Sequence, residues 1–332
     1  MKKRTLIVQD YNNLHLDIHT IGYPNEGESL LTLLCDGDKV LFSVQTDCFE
    51  YKHYNHAKEL LNRLQVKQID AFIWTHPHQD HSVGIPDFLD EFDPNHTAEI
   101  FLPSGLFHGL GIKQKAKEAL DYVNKHYNSN RKYNVKYIQV NTWHSPTIPL
   151  LSLNIEVMKP RVIIGYSHYF LSPNDIIVSR AMYSDKPLIN DFSIAYSILF
   201  NNFSFLFYGD LSERNVKFID PHYYRGGAFI NLPHHGSDNV KSLVSLIRSQ
   251  NVTDAIITTT VFKRHHLPKP QVLNDYCTIS DGVYCTSNIQ NESSEPYGCI
   301  TAKFHANMQR PEIITSGNAY CYFNRRTNSF LM

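Results

Sequence analysis

The chain is 332 residues long, 42% hydrophobic and 19% charged, with a formal net charge of −1. That length suffices for one large domain or two modest ones around a substantial core. The near-zero charge excludes a global basic field that would draw in nucleic acid, so any polyanion site must be local.

Twenty Tyr and 19 Phe point to many strands and thick packing layers. The six cysteines, Cys35, Cys48, Cys277, Cys285, Cys299 and Cys321, form no CxxC pair and read as reduced, mostly buried thiols. The start, MKKRTLIVQDYNN, turns polar too soon for a signal peptide, and the apolar runs are of strand length. A soluble cytoplasmic protein with no membrane partner is the expectation.

In chain order, alternation in LHLDIHTIG (14–22) predicts a first strand, SLLTLLC a second, and Asp36-Gly37-Asp38 a hairpin into KVLFSV. YNHAKELLNRLQV has helical spacing and feeds the buried strand KQIDAFIWT. IPDFLDEF reads as a short helix, AEIFLP as a strand, and IKQKAKEALDYVNKHY as a Lys-rich helix before a polar NSNRK loop. YNVKYIQV and SLNIEVMK follow as strands, and Asn201-Asn202 joins FSIAYSILF to FSFLFYG, a strand expected to end at Asp210. GGAFINLP runs to His234, and AIITTTVF, a helix near PQVLNDYC and GVYCTSN complete a second β/α half. ITAKFHA and AYCYFN read as two closing strands. Two mixed sheets between outer helices, an α/β fold of αββα four-layer sandwich type, fit this order better than a doubly wound sheet. Without a linker, residues 1–332 are expected to form one domain, with a helical insertion at about 105–135.

The strongest chemical signal is Thr75-His76-Pro77-His78-Gln79-Asp80-His81, directly after AFIWT. A strand's side-chain period of two lets His76 and His78 project to one side, and the turn beyond lets Asp80 and His81 converge from another. Gly84 then permits close backbone approach. Three imidazoles and a carboxylate so close in sequence suit two borderline divalent cations.

THPHQDH resembles the HxHxDH motif of the metallo-β-lactamase superfamily. The resemblance assigns His76 and His78 to one metal and Asp80 and His81 to the other. Phe207-Tyr208-Gly209-Asp210 resembles the strand-terminal GD whose aspartate bridges the metals; alone, it would read as an ordinary turn aspartate. Pro233-His234-His235-Gly236-Ser237 implies His234 as the last ligand and His235 as a neighbour facing substrate, although strand-end histidines also form structural pairs.

The wording LPHHGS is similar to the metallo-β-lactamase domain of ComEC-type competence proteins and their stand-alone relatives. Gly27-Glu28-Ser29 resembles that branch's G-D-S turn, Asn190-Asp191-Phe192-Ser193 its N-x-x-S, and His265-His266-Leu267-Pro268 its late G-H-P. The resemblance runs from about residue 14 to 290. Two departures stand out. FSVQTDCFE lacks the usual glycine, leaving Asp47 as the loop-supporting acid. At the third-histidine position stand only Asn190 or Asp191, with His144 and His168 as remote alternatives, which weakens the case for tight zinc and admits manganese beside it.

What the resemblance implies is a dinuclear hydrolase that uses a metal-bridging hydroxide oriented by Asp80. His235 and His265 or His266 would donate hydrogen bonds to phosphoryl oxygens or protonate the leaving alkoxide. A phosphodiester, DNA or a nucleotide, is the first expected substrate. A lactone, thioester or β-lactam hydrolase, or a non-catalytic module of the same fold, are the alternatives. The one sizeable basic concentration, Lys113, Lys115, Lys117, Lys125, Arg131, Lys132 and Lys136, suits either a polyanion path or a solvated helix face.

Overall fold

The computed structural model describes residues 8–105, 111–128, 134–138, 142–144, 150–153, 162–164, 166–184, 187–288, 294–307, 310–327 and 329–330. Strand β1 (Val8–Tyr11) leads into the hairpin of β2 (Leu14–Gly22) and β3 (Glu28–Asp36), paired along their full lengths. β4 (Lys39–Thr46) returns through a turn in which Gly37 has a φ of 58°. Helix α1 (His56–Arg63) begins where the Asn55 side chain accepts the Lys58 N–H, closing the first turn. β5 (Ala71–Ile73), α2 (Ile85–Phe92), β6 (Glu99–Pro103), α3 (Gln114–Tyr127) and β7 (Val135–Ile138) follow.

The middle of the chain holds β8 (Thr142–His144), β9 (Leu150–Leu153), β10 (Val162–Ile164), β11 (Tyr166–Ser172) and α4 (Asp175–Met182). Next come β12 (Ala195–Phe200), β13 (Phe203–Phe207), α5 (Glu213–Val216), β14 (Gly227–Asn231), α6 (Ser242–Arg248), β15 (Ala255–Thr259), α7 (Pro270–Cys277) and β16 (Ser280–Cys285). β17 (Gly298–His305), β18 (Glu312–Gly317), β19 (Tyr320–Asn324) and β20 (Ser329–Phe330) end the described chain.

Among the described residues, one sheet runs β18-β17-β2-β3-β4-β5-β6-β7 and the other β20-β19-β16-β15-β14-β13-β12-β11-β8. Each holds a parallel block, β4 to β7 in the first and β13 to β16 in the second, flanked by antiparallel strands. The side-chain period of two sorts residues between layers. Phe72 and Trp74 turn outward under α1, α2 and α3, whereas Ile73 turns inward against Phe101, Tyr196 and Phe207. Likewise Phe205 and Phe207 face the first sheet, and Leu206 packs outward with Ile230, Leu243, Ile247 and Leu273 beneath α6 and α7. Helix, sheet, sheet, helix: this is the αββα sandwich that the alternation of elements implies.

The two closing strands form as expected and lie in different sheets; β17 joins β2 in the first, and β19 joins β16 in the second. A third, small sheet of β1, β9 and β10 has no counterpart in the sequence reading. β13 stops at Phe207 rather than at Asp210, leaving the aspartate on a turn. Within the segment expected as an insertion, α3 buries Ala116, Ala119, Leu120 and Val123 in the same outer layer as α2; residues 106–110 and 129–133, with most of the NSNRK loop, lie outside the described residues. SLNIEVMK is described only through β9. No helix among the described residues is long and apolar enough to cross a membrane.

Candidate metal centre

The two parallel blocks deliver their strand ends to one place, the position where open α/β sheets bind ligands. From β4 comes Asp47, from β5 the Thr75–His81 segment, from β13 Asp210, from β14 the His234-His235 pair, and from β15 Thr260. The sheets are tied together here, since the Ile194 N–H donates to the Thr75 carbonyl at 2.9 Å. Gly209 has a φ of 48°, and a Cβ on it would lie 2.7 Å from Ser193 Oγ and 2.9 Å from Thr75 Cβ. Only glycine lets β13 turn so close to the histidine motif, and Ser193 Oγ then accepts the Asp210 N–H at 3.0 Å.

Asp210 is the hub. Its Oδ2 lies 3.4 Å from His76 Nε2, 3.7 Å from His78 Nδ1 and 3.6 Å from His234 Nε2. Its Oδ1 lies 3.5 Å from His81 Nε2 and 3.8 Å from His235 Nε2, and both rings also reach Asp80 Oδ2, at 3.5 Å and 3.2 Å. Two donor groups capable of holding metal ions result, His76–His78–Asp210 and Asp80–His81–His235. The carboxylate of Asp210 presents one oxygen to each.

The histidine pair is placed differently from the expectation. His235 does not face an open rim; it is 2% exposed and belongs to the second donor group. His234 stands beside the first group, on the side where a third histidine was missing. The cause is local: His234 and His235 have φ values of 49° and 53°, two successive left-handed non-glycine residues that send their rings to different groups.

Outer partners fix the imidazoles. Asp47 Oδ1 accepts the Thr75 N–H at 2.7 Å, and Oδ2 accepts Thr75 Oγ1–H at 2.6 Å and His81 Nδ1–H at 2.7 Å. Thr75 has thereby given up its one hydroxyl proton, so its oxygen accepts from His76 Nδ1 at 3.0 Å. The same logic holds across the cleft, where Thr260 Oγ1 donates to Glu28 Oε2 at 2.7 Å and accepts from His235 Nδ1 at 2.6 Å. All three rings therefore turn Nε2 to the centre. Glu28 and Thr260 were not singled out as site residues from sequence; the Gly27-Glu28-Ser29 turn was the one available signal. Asn190 Nδ2 lies 3.4 Å from His234 Nδ1 while its buried Oδ1 has no hydrogen-bond partner; the reversed amide would satisfy that oxygen and again present Nε2.

Charge is concentrated in this pocket. Burial works against the Asp210 carboxylate, but His76 and His234 outweigh it and hold its pKa well below the usual range. Burial also opposes a charge on His235, yet the hydrogen bonds its ring donates to the Asp80 and Glu28 carboxylates raise its pKa to about 10. His76, buried and beside His81, is pushed down to about 3. His81 Nε2 and Asp210 Oδ1 are buried without a hydrogen-bond partner.

Other candidates fall elsewhere. Asp191 is buried against Arg214, Oδ2 to Nη1 at 3.0 Å, and belongs to neither donor group. His168 lies between the sheets with Phe42 and Tyr196, its Nε2 3.0 Å from the Tyr166 hydroxyl. His144 pairs with it through the backbone on β8, and its side chain lies outside the described residues. Above the cluster opens a cleft of about 530 Å³ lined in part by Lys113, Phe262, Arg264, His265 and Lys269. His266 does not line it. Among the described residues of the Lys-rich concentration only Lys113 does; Lys115 pairs with Glu118 and Lys136 with Glu99, the behaviour of a solvated face, and Arg131 and Lys132 lie outside the described residues.

No protein-family model matches the chain, and no curated protein matches it. Solved structures do. Rm3 metallo-beta-lactamase matches with a TM-score of 0.28 and 7% identity, over 71% of this chain and 76% of that one. BLEG-1 B3 metallo-beta-lactamase matches with a TM-score of 0.27 and 15% identity, over 70% of this chain and 85% of that one. Likenesses this distant bear on neither substrate nor branch; the fold is read from the chain's own layers and sheet order.

Proposed function

We propose that this chain is a dinuclear metal-dependent hydrolase that cleaves phosphodiesters, as a nuclease or nucleotide phosphodiesterase. The observation that carries the reading is the pair of donor groups sharing Asp210 at the floor of a cleft walled by Lys113, Arg264 and Lys269. The donors fit divalent cations: His81 Nε2 and Asp210 Oδ1 are buried polar atoms that lack a hydrogen-bond partner. His76, His78 and His234 would hold one ion, Asp80, His81 and His235 the other, with Asp210 between them. Bound there, zinc or manganese would supply Lewis acidity and an acidified water near neutral pH.

The chain's own residues do the rest. Lys113, Arg264 and Lys269 draw a phosphate into the cleft and oppose the charge that grows on its oxygens. Asp80 orients the attacking water. His265, exposed on the cleft wall, would protonate the leaving alkoxide. Phe262, packed edge-on against His235 and His265, offers an apolar face to a base.

Carbonyl-ester, lactone or β-lactam hydrolysis remains the second reading because His234 gives the first group a third imidazole. The cationic wall separates the two. Purified protein with added manganese or zinc is assayed against a chromogenic phosphodiester, a lactam and a lactone, then against DNA, RNA and cyclic nucleotides. Phosphodiester turnover that fails in His78→Ala is expected. Turnover of only the carbonyl substrates would reverse the ranking, and absence of bound metal with no rescue would favour a non-catalytic module.

A further inference from the structure

We propose a second, separate metal site, built from His15, Asp17 and Cys35 on the helix-covered face of the first sheet. Their donor atoms lie within 4.8 Å of one another. β2 runs parallel to β4, and His15 sits at its start, so the site is at the end of the sheet opposite the Asp210 centre. His15 and Cys35 are directly opposed across the β2–β3 ladder, and Asp17 shares His15's face two residues on.

The imidazole is oriented for a ligand. His15 Nδ1 lies 2.8 Å from the Asn13 carbonyl, which can only accept, so the proton is on Nδ1 and the Nε2 lone pair is free. Nε2 is 3.6 Å from Asp17 Oδ1, a buried oxygen without a hydrogen-bond partner, while Lys303 Nζ takes the other oxygen at 3.6 Å. The β3–β4 register also shifts at Cys35, the kind of irregularity that re-aims a side chain.

One nitrogen, one oxygen and one sulfur suit a borderline cation such as zinc, with water in the fourth position. Ligands around tetrahedral zinc stand roughly 3.3–3.8 Å apart, so closure needs a contraction of about 1 Å. Binding releases the Cys35 thiol proton to solvent and leaves imidazole, carboxylate and thiolate on the ion. Asp17, with 15% of its side chain exposed, gives the entry path.

The Asp210 centre contains no cysteine, which makes the two sites separable by spectrum. Metal-stripped full-length protein is titrated with cobalt(II) chloride alone. The expected result is an intense near-ultraviolet thiolate-to-cobalt band that persists in His78→Ala and Cys48→Ser and disappears in Cys35→Ser. Should Cys35→Ser not fold, Asp17→Asn is expected to move the band's midpoint to cobalt concentrations about tenfold higher or more. No band in the unaltered chain, a band that survives Cys35→Ser, or an unmoved midpoint in Asp17→Asn would overturn the proposal.

Discussion

Asp47 touches neither donor group's centre, yet three hydrogen bonds from Thr75 and His81 end on its two oxygens. Through them it holds the backbone where β5 gives way to the histidine motif, and fixes the ring of His81. Burial raises its pKa, and His81 acts against that rise. Asp47→Ala is therefore expected to weaken metal binding about 10–100-fold while leaving every ligand in the chain. Competition with a chromogenic chelator measures this directly. An affinity unchanged from the parent would mean that His81 needs no such support.

Element-scale chemistry shows in β2, where the outward positions His15, Asp17 and His19 replace the apolar residues a core strand would carry. His19 is buried with Nδ1 on Thr301 Oγ1 at 2.9 Å, and burial pushes its pKa down to about 4. The folded chain thus binds the His19 proton less readily than the unfolded chain, whose value is near 6.5. Stability from this group is intact above pH 6.5 and falls as pH drops toward about 4, by up to about 3 kcal/mol. Urea unfolding across that range should show a slope that His19→Gln flattens; an unchanged slope would remove His19 as its source. The same strand shows what sequence can reveal. β2, α2 and α7 coincide with their expected ranges because strong alternation, or an apolar face, lies within one short segment. β18 was missed because nearly all its residues are exposed and carry no alternation. The histidine motif was legible because its residues are contiguous. The division of labour between His234 and His235 was not, since two left-handed residues undo the strand period on which such reasoning rests. Glu28 and Thr260 lie on strands of different sheets and become neighbours only when those sheets stack.

At the scale of the whole molecule, the Asp210 centre is also a junction. Asp80 and His81 follow the first sheet's parallel block, while Asp210, His234 and His235 follow the second's, and both donor groups draw on the two halves. Ions held there would cross-link the sheets, favouring the folded state by mass action. At a free metal concentration of 100 times Kd each site would contribute about 2.7 kcal/mol. For a chain of 332 residues that corresponds to a rise in Tm of roughly 4 °C per site. Thermal unfolding with excess zinc and with chelator should differ by at least that amount. Asp210→Asn, which removes the negative charge between the groups and replaces one of the two carboxylate oxygens by an amide nitrogen, should abolish most of the difference while unfolding at close to the metal-stripped parent's temperature. An equal zinc-dependent rise in Asp210→Asn would place the stabilising ion elsewhere, and Cys35→Ser in the same assay would show whether the His15–Asp17–Cys35 site accounts for it.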